Sequence, residues 1–207
     1  MAGLTLLAQH VESVRACRLC PLVAGLPVVA DPVSRARVLL VGQAPGPRES
    51  ASGRLFAYTA GRRLFSWFAT VGVSEEEFRR KVWMSAVLRC FPGRHPKGGD
   101  RPPAPDEIAR CAPWLERELD LVRPQTVIAL GSLAIQRFLP AAPLAELVGR
   151  LFPLERAGRQ LELVPLPHPS GRSTWINDPQ NARRLRKGLK LLAATAGWRA
   201  TFGGSAA

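Results

Sequence analysis

The chain has 207 residues, 46% of them hydrophobic and 22% charged, which suits one α/β domain with its own core and leaves little room for two. No stretch approaches eighteen consecutive apolar residues, and Met1 to His10 lacks a basic segment followed by a long apolar run, so neither a membrane span nor a secretion leader is indicated. The formal net charge of +13 suits a polyanionic partner, because each phosphate contacted releases condensed counterions; an Arg-rich surface of the kind a GC-rich genome favours is the plainer alternative.

Leu6, Leu7, Val11 and Val14 predict a helix over Leu4 to Arg15, leading straight into Cys17-Arg18-Leu19-Cys20. Pro27 to Val33 reads as a proline-punctuated connector. Arg37 to Gly42 reads as a strand apolar on both faces, stopped by the turn Gly42-Gln43-Ala44-Pro45-Gly46. A loop rich in Gly, Ser and Arg is expected over Gly46 to Ala60. Leu64, Phe65, Phe68 and Val71 then predict an amphipathic helix over Gly61 to Val71. Ser74 caps a short helix, with Glu77 at the capping-box position. Val82 to Leu88 is the second strand, and a proline- and glycine-rich loop with Arg94, His95, Lys97 and Arg101 follows Cys90. A helix is expected over Asp106 to Leu121, with two acids in its first turn. Thr126 to Gly131 is the third strand, followed by a helix over Leu133 to Phe138. Pro140 to Gly158 holds a short helix and a turn at Ala157-Gly158. Leu161 to Leu166 is the fourth strand, and it runs into Pro167-His168-Pro169-Ser170. A basic helix spans Pro179 to Ala196, and residues 197–207 are expected to form a flexible tail.

Strands alternating with helices predict a single domain over residues 1–207, a three-layer α/β/α fold around a central, mainly parallel four-stranded sheet. Residues 1–30 bring the first helix and two of the cysteines to it. The strand ends would line up Gly42-Gln43, Ser85 to Arg89, Gly131-Ser132 and Pro167-His168 along the rim where such sheets bind ligands.

Two constellations carry chemistry. Cys17, Cys20, Cys90 and Cys111 are the only cysteines. Disulfides are the weaker explanation without a secretion leader, and four thiolates suit zinc or an iron–sulfur cluster; spacing does not choose between these. His168 stands between two prolines that fix its backbone, which makes its imidazole a positioned donor.

In order and spacing these residues resemble the uracil-DNA glycosylase superfamily, closest to its iron–sulfur families four and five. Gly42-Gln43-Ala44-Pro45-Gly46 is similar to the first motif of that family and His168-Pro169-Ser170 to the second. Gly53-Arg54-Leu55-Phe56 is similar to the segment that delivers a uracil-stacking phenylalanine. Arg89-Cys90-Phe91-Pro92, followed by Pro103, Pro105, Glu107 and Cys111, is similar to the segment carrying two cluster ligands. The likeness runs from about Cys17 to Leu192. It implies a structural 4Fe–4S cluster on Cys17, Cys20, Cys90 and Cys111, with zinc the lesser alternative. It also implies a DNA repair enzyme that flips uracil out of DNA and hydrolyses its N-glycosidic bond, leaving an abasic site.

On that resemblance His168 donates to uracil O2, while Gly42, Gln43 and Ala44 shape the pocket. Gln43 orients water or base, Glu49 is the nearest acid for positioning water, and Phe56 stacks on the base. Ser85 or Asn177 reads the uracil edge, and Ser170, Gly171, Arg172, Ser173 and Arg94 contact DNA. The chain departs from the family pattern in places. Gln43 stands where family four has a glutamate, and Ala44 where family one has an aspartate. Gly46 replaces a family-one tyrosine, no asparagine lies at Ser85-Ala86, and Lys97 to Asp100 looks inserted. These departures keep two alternatives open: a binder of damaged or abasic DNA with little turnover, and a glycosylase of broader deaminated-base range. A relative that links covalently to abasic sugar needs a histidine where Asp100 stands nearer than His95. A generic nucleotide-binding protein lacks both the G-x-G-x-x-G fingerprint and a Walker lysine. The resemblance further implies a monomer, cytoplasmic and bacterial, held at the nucleoid by uracil-containing DNA.

Overall fold

The computed structural model describes residues 2–20, 25–171 and 173–203. Five strands form its sheet: β1 (Val38–Gly42), β2 (Trp83–Ala86), β3 (Thr126–Leu130), β4 (Phe152–Arg156) and β5 (Arg159–Leu166). Their order is β2-β1-β3-β5-β4, parallel throughout except for the β4–β5 pair. Every residue of β1, β2 and β3 is buried, as expected of strands covered on both faces. Side chains alternate along β1: Val38 and Leu40 enter one core, Leu39 and Val41 the other.

The first core packs against α3 (Thr59–Ala69), α4 (Glu75–Lys81), α8 (Pro179–Ala194) and α9 (Ala196–Phe202); the second packs against α1 (Ala2–Arg15), α5 (Pro105–Val122), α6 (Gly131–Ile135) and α7 (Leu144–Leu147). Aromatic rings weld the first layer together. Phe68 and Phe78 stack at 4.4 Å between centroids, and Trp198 and Phe202 close over Phe78 at 6.2 and 6.4 Å. Burying each of Phe68 and Phe78 stabilises the fold by about 1.5–3 kcal/mol.

The architecture is the expected α/β/α, with three local corrections. The sheet has five strands, not four. β4 is an edge strand whose residues are only half-buried or exposed and which contains Pro153, so its pattern reads weakly as a strand. Ala157 and Gly158, with φ of 48° and 69°, form the tight turn that folds β4 back on β5. Residues 197–202 are not a loose tail: they belong to α9, with Trp198 and Phe202 buried and Thr195 capping the helix. Residues 204–207 lie outside the described part. The expected loop at 46–60 contains α2 (Pro47–Ser52), begun by Pro47 and by the Glu49 carboxylate, which accepts from the Gly46 N–H at 2.7 Å.

Beyond β2 the chain stays beside the first strand's turn, where the Val87 and Leu88 N–H groups donate to Gly42 and Gln43 carbonyls at 2.9 and 3.0 Å. Residues 93–101 then form a small hairpin. His95 N–H donates to Gly99 O at 2.8 Å, Arg101 N–H donates to Gly93 O at 3.0 Å, and Arg94 faces Asp100 across it.

Candidate active site

Two turns, at the ends of β1 and β5 with β3 between them, build the site. At the end of β1, Gly42 leaves room for an aromatic wall: a methyl group on its α-carbon would stand 2.8 Å from Phe56 Cζ. Phe56 holds the left-handed backbone region at φ 52°, a conformation that costs a non-glycine residue about 1–2 kcal/mol. Three fixtures keep it there. Arg79 donates from Nη1 to Leu55 O and from Nη2 to Phe56 O, each at 2.8 Å. Gly61 lies so close beneath the Phe56 carbonyl that a side chain there has no room. The Glu49 carboxylate takes hydrogen bonds from the backbone of Gly46, Phe56 and Ala57. Burial pushes its pKa above the ordinary carboxylate value in spite of these donors and of nearby Arg79. Glu49 thus ties the Gly42–Gly46 turn to the loop carrying Phe56.

At the end of β5 the half-buried His168 backs onto Gly131, the first residue of α6 just past the adjacent β3; a methyl group on Gly131 would lie 3.1 Å from His168 Cβ. The Ser170 N–H donates to His168 Nδ1 at 3.3 Å. With Nδ1 accepting, the ring proton of the neutral imidazole sits on Nε2, free to donate. Burial lowers the pKa of His168, which favours this neutral form. Arg63 of α3 fixes the loop, donating from Nη1 to Ser170 O at 2.9 Å. β1 and β5 are separated by β3 alone, so the recess between their ends is about 10 Å wide, two strand spacings.

The other expected site residues are scattered. Gln43 and Ala44 are half-buried in the first turn. The Ser85 hydroxyl is fully buried and turned toward Glu118, while its carbonyl is near the Gly42 α-carbon. Asn177 ends the short turn Trp175–Asn177 and is exposed. Ser170 and Ser173 share a turn, with Ser173 N–H donating to Ser170 O at 3.1 Å, and Gly171 is exposed beside them. Arg172 lies outside the described residues. Arg94 is exposed on the hairpin, across from Asp100. Sequence reasoning missed Arg63, Arg79 and Glu49's structural grip. Arg79 pairs with Glu75 at helical spacing, which in sequence looks like an ordinary surface pair.

The four cysteines are brought together. Cys17, Cys20, Cys90 and Cys111 all line one cavity of about 270 Å³ between the end of α1, the exit of β2 and α5. Burial and the neighbouring thiols Cys111, Cys20 and Cys17 push Cys90 up to about 12; burial likewise raises Cys111, against the pull of Arg89. Such crowding disfavours thiolates unless a cation joins them. Among the described residues no three donors converge as ligands of one metal ion. The cavity equals about nine times the volume that a water molecule occupies in the liquid, ample for a multi-atom group. Beneath it lies a buried ion pair: Arg89 Nη2 stands 2.8 Å from Glu118 Oε2, and His10 Nε2 stands 3.4 Å from Glu118 Oε1.

A parallel sheet with a glycine-floored, phenylalanine-walled turn on one strand, a positioned imidazole two strands away and four gathered thiols defines a class, and sequence comparison agrees on which. The profile of the uracil DNA glycosylase superfamily matches residues 30–192, and the chain belongs to that superfamily. It is similar to the type-4 uracil-DNA glycosylase of Archaeoglobus fulgidus, 28% identical over 77% of this chain and 79% of the relative. The type-4 enzyme of Thermotoga maritima is 29% identical over the same shares. A type-5 uracil-DNA glycosylase of Thermus thermophilus is 34% identical over 62% of this chain and 70% of its own length.

Proposed function

We propose that this protein is a monofunctional uracil-DNA glycosylase that flips uracil out of DNA and hydrolyses its N-glycosidic bond. The observation that carries this reading is His168: an imidazole whose Nδ1 is already engaged, leaving Nε2–H to donate, at the end of the strand two places from the one that ends in the Gly42–Gly46 turn. Extruding the base costs a few kcal/mol, which contacts between DNA and a chain of net charge +13 offset. Ser170, Gly171, Arg172, Ser173 and Arg94 supply part of that grip. The flipped base stacks on Phe56, and Gly42, Gln43 and Ala44 line its edge. As the bond between sugar C1′ and uracil N1 breaks, negative charge spreads to uracil O2. The Nε2–H of His168 donates to that oxygen, and one such donor is worth about 10²–10³ in rate. Arg63 and Ser170 hold the imidazole in aim; Glu49 and Arg79 hold the stacking wall.

Cys17, Cys20, Cys90 and Cys111 would hold a 4Fe–4S cluster, with zinc the lesser alternative. The single cavity that all four cysteines line supports a bound group of several atoms. When bound it would supply a cross-link that braces DNA-facing loops. Uracil-containing DNA is the partner, met by a cytoplasmic monomer. Among the described residues no helix is long and apolar enough to cross a membrane.

A second reading, a binder of damaged or abasic DNA with little turnover, is favoured by one observation: the first turn carries no acid, and Glu49 is engaged by backbone donors. Incubating uracil-containing DNA with the protein and then alkali separates the two. Strand breaks that disappear in His168→Ala, with DNA affinity held within about twofold, support the glycosylase. Intact DNA overturns it, whereas equal cleavage by the variant overturns the role of His168. The same assay on hypoxanthine, xanthine and thymine mismatches sets the base range.

A further inference from the structure

Hydrolysis is helped by a base that takes a proton from water on the sugar face opposite the departing base, and the first turn offers none. Gln43 and Ala44 are not acids, and Glu49 accepts from three backbone positions. The hairpin at 93–101 brings in another carboxylate. A methyl group on Gly46 would stand 3.6 Å from Asp100 Oδ2 and 3.5 Å from Glu49 Oε2, so the two acids flank the same point of the turn. They differ in what holds them. Among the described residues no hydrogen bond or ion pair engages the Asp100 side chain, in a chain with 29 Lys and Arg.

Asp100 is nonetheless well placed and well anchored. Backbone bonds close the hairpin on both sides of it. The next residue, Arg101, grips the buried Glu107 at the start of α5 with both guanidinium arms, the Nη1–Oε2 contact being 2.8 Å. Arg94 is its cross-strand partner, and residues directly opposite in an antiparallel pair project on one face, about 4.5–5.5 Å apart. A phosphate held by Arg94 therefore brings its own sugar within reach of Asp100.

We propose that Asp100 is the carboxylate that orients and deprotonates the attacking water, a role that rests on the glycosylase reading. The water oxygen bonds to sugar C1′ while its proton passes to an Asp100 oxygen. The C1′–N1 bond breaks, and its electron pair leaves on uracil, where the Nε2–H of His168 meets it. Uracil takes up a proton on release, Asp100 returns its own to solvent, and the products are free uracil and an abasic sugar. The acid absent from the first turn is supplied from the inserted hairpin.

Single-turnover uracil release and affinity for a duplex carrying a tetrahydrofuran abasic analogue test this on the full chain. Asp100→Asn should slow release by about 10²-fold or more, as expected for loss of a general base. The same change should leave affinity unchanged or tighter, because it removes a negative charge beside phosphates, and Asp100→Glu should recover part of the rate. A purely structural role would lower rate and affinity together, and that outcome overturns the proposal. Wild-type release by Asp100→Asn overturns it as well while leaving the glycosylase reading standing. A wild type that releases no uracil overturns both.

Discussion

Gly131 and Gly158 both hold a positive φ, at 80° and 69°, but only Gly131 has a neighbour in the way. Alanine at either position pays the left-handed strain of about 1–2 kcal/mol. At Gly158 the new methyl meets open space, whereas at Gly131 it arrives 3.1 Å from His168 Cβ and must push the imidazole. Gly131→Ala should therefore cut the uracil-release rate by about tenfold or more, since small misplacement of a reacting group is costly, and leave DNA affinity in place. Gly158→Ala should lose a similar amount of stability with no change in rate. Equal rates in the two variants would show that His168 does not depend on this contact. At this scale the sequence displayed what is contiguous: Gly42 to Gly46 and Pro167 to Ser170 are local strings with their own turn chemistry. It did not display Arg79, which reaches back 23 residues to the Phe56 carbonyl, or Arg63, which reaches 107 residues forward to Ser170. Their partners are backbone atoms, which leave no signature in side-chain identity.

Among the elements, the buried ones were the readable ones. β1, β3 and β5 announce themselves by apolar runs, whereas β4 is half-exposed, contains a proline and depends on the turn at Ala157-Gly158 for its pairing. α9 was hidden because its seven residues are held mainly by Trp198 and Phe202 packing on a distant aromatic cluster. The hairpin at 93–101 was visible only as a basic loop, yet its anchor makes a testable element. The hydrogen bonds from Arg101, outweighing burial, hold the Glu107 carboxyl below its ordinary value of 4.5. A carboxyl with a depressed folded pKa contributes stability that is present above the unfolded value and is lost as pH falls through the folded one. The contribution should thus be complete above pH 4.5 and decline below it. Glu107→Gln removes a charged hydrogen bond worth about 1.5–3 kcal/mol at neutral pH. Thermal midpoints should fall by about 2–4 °C per kcal/mol for a chain of this size, and the gap from wild type should narrow in acid. A gap that stays constant from neutral pH into acid would mean that the Arg101–Glu107 contact does not anchor the hairpin.

For the molecule as a whole, the four thiols gather from parts that the sheet does not join: the end of α1, the exit of β2 and the body of α5. The Arg89–Glu118 pair, with His10 nearby, ties the same three parts through buried polar groups, and both of its charged side chains are at most 2% exposed. A pair so buried gives little net stability against its desolvation cost, so the cluster proposed on the thiols would be the stronger cross-link. Binding to a site that forms only on folding adds directly to folding stability. Protein purified without air should be brown, with broad absorbance near about 400 nm from thiolate-bound iron, and should carry iron and sulfide in equal amounts. Cys111→Ser, which removes a buried thiol of α5 proposed as a ligand, should lose the iron, lower the thermal midpoint and weaken DNA binding together, because the hairpin beside the first turn is carried between Cys90 and Cys111. If the variant bleaches but keeps its affinity for DNA, the cluster stabilises the fold without shaping the DNA-facing hairpin. Colourless wild-type protein with stoichiometric zinc would replace the cluster by a single ion, and the thiols would then have to close on one point from where they now stand.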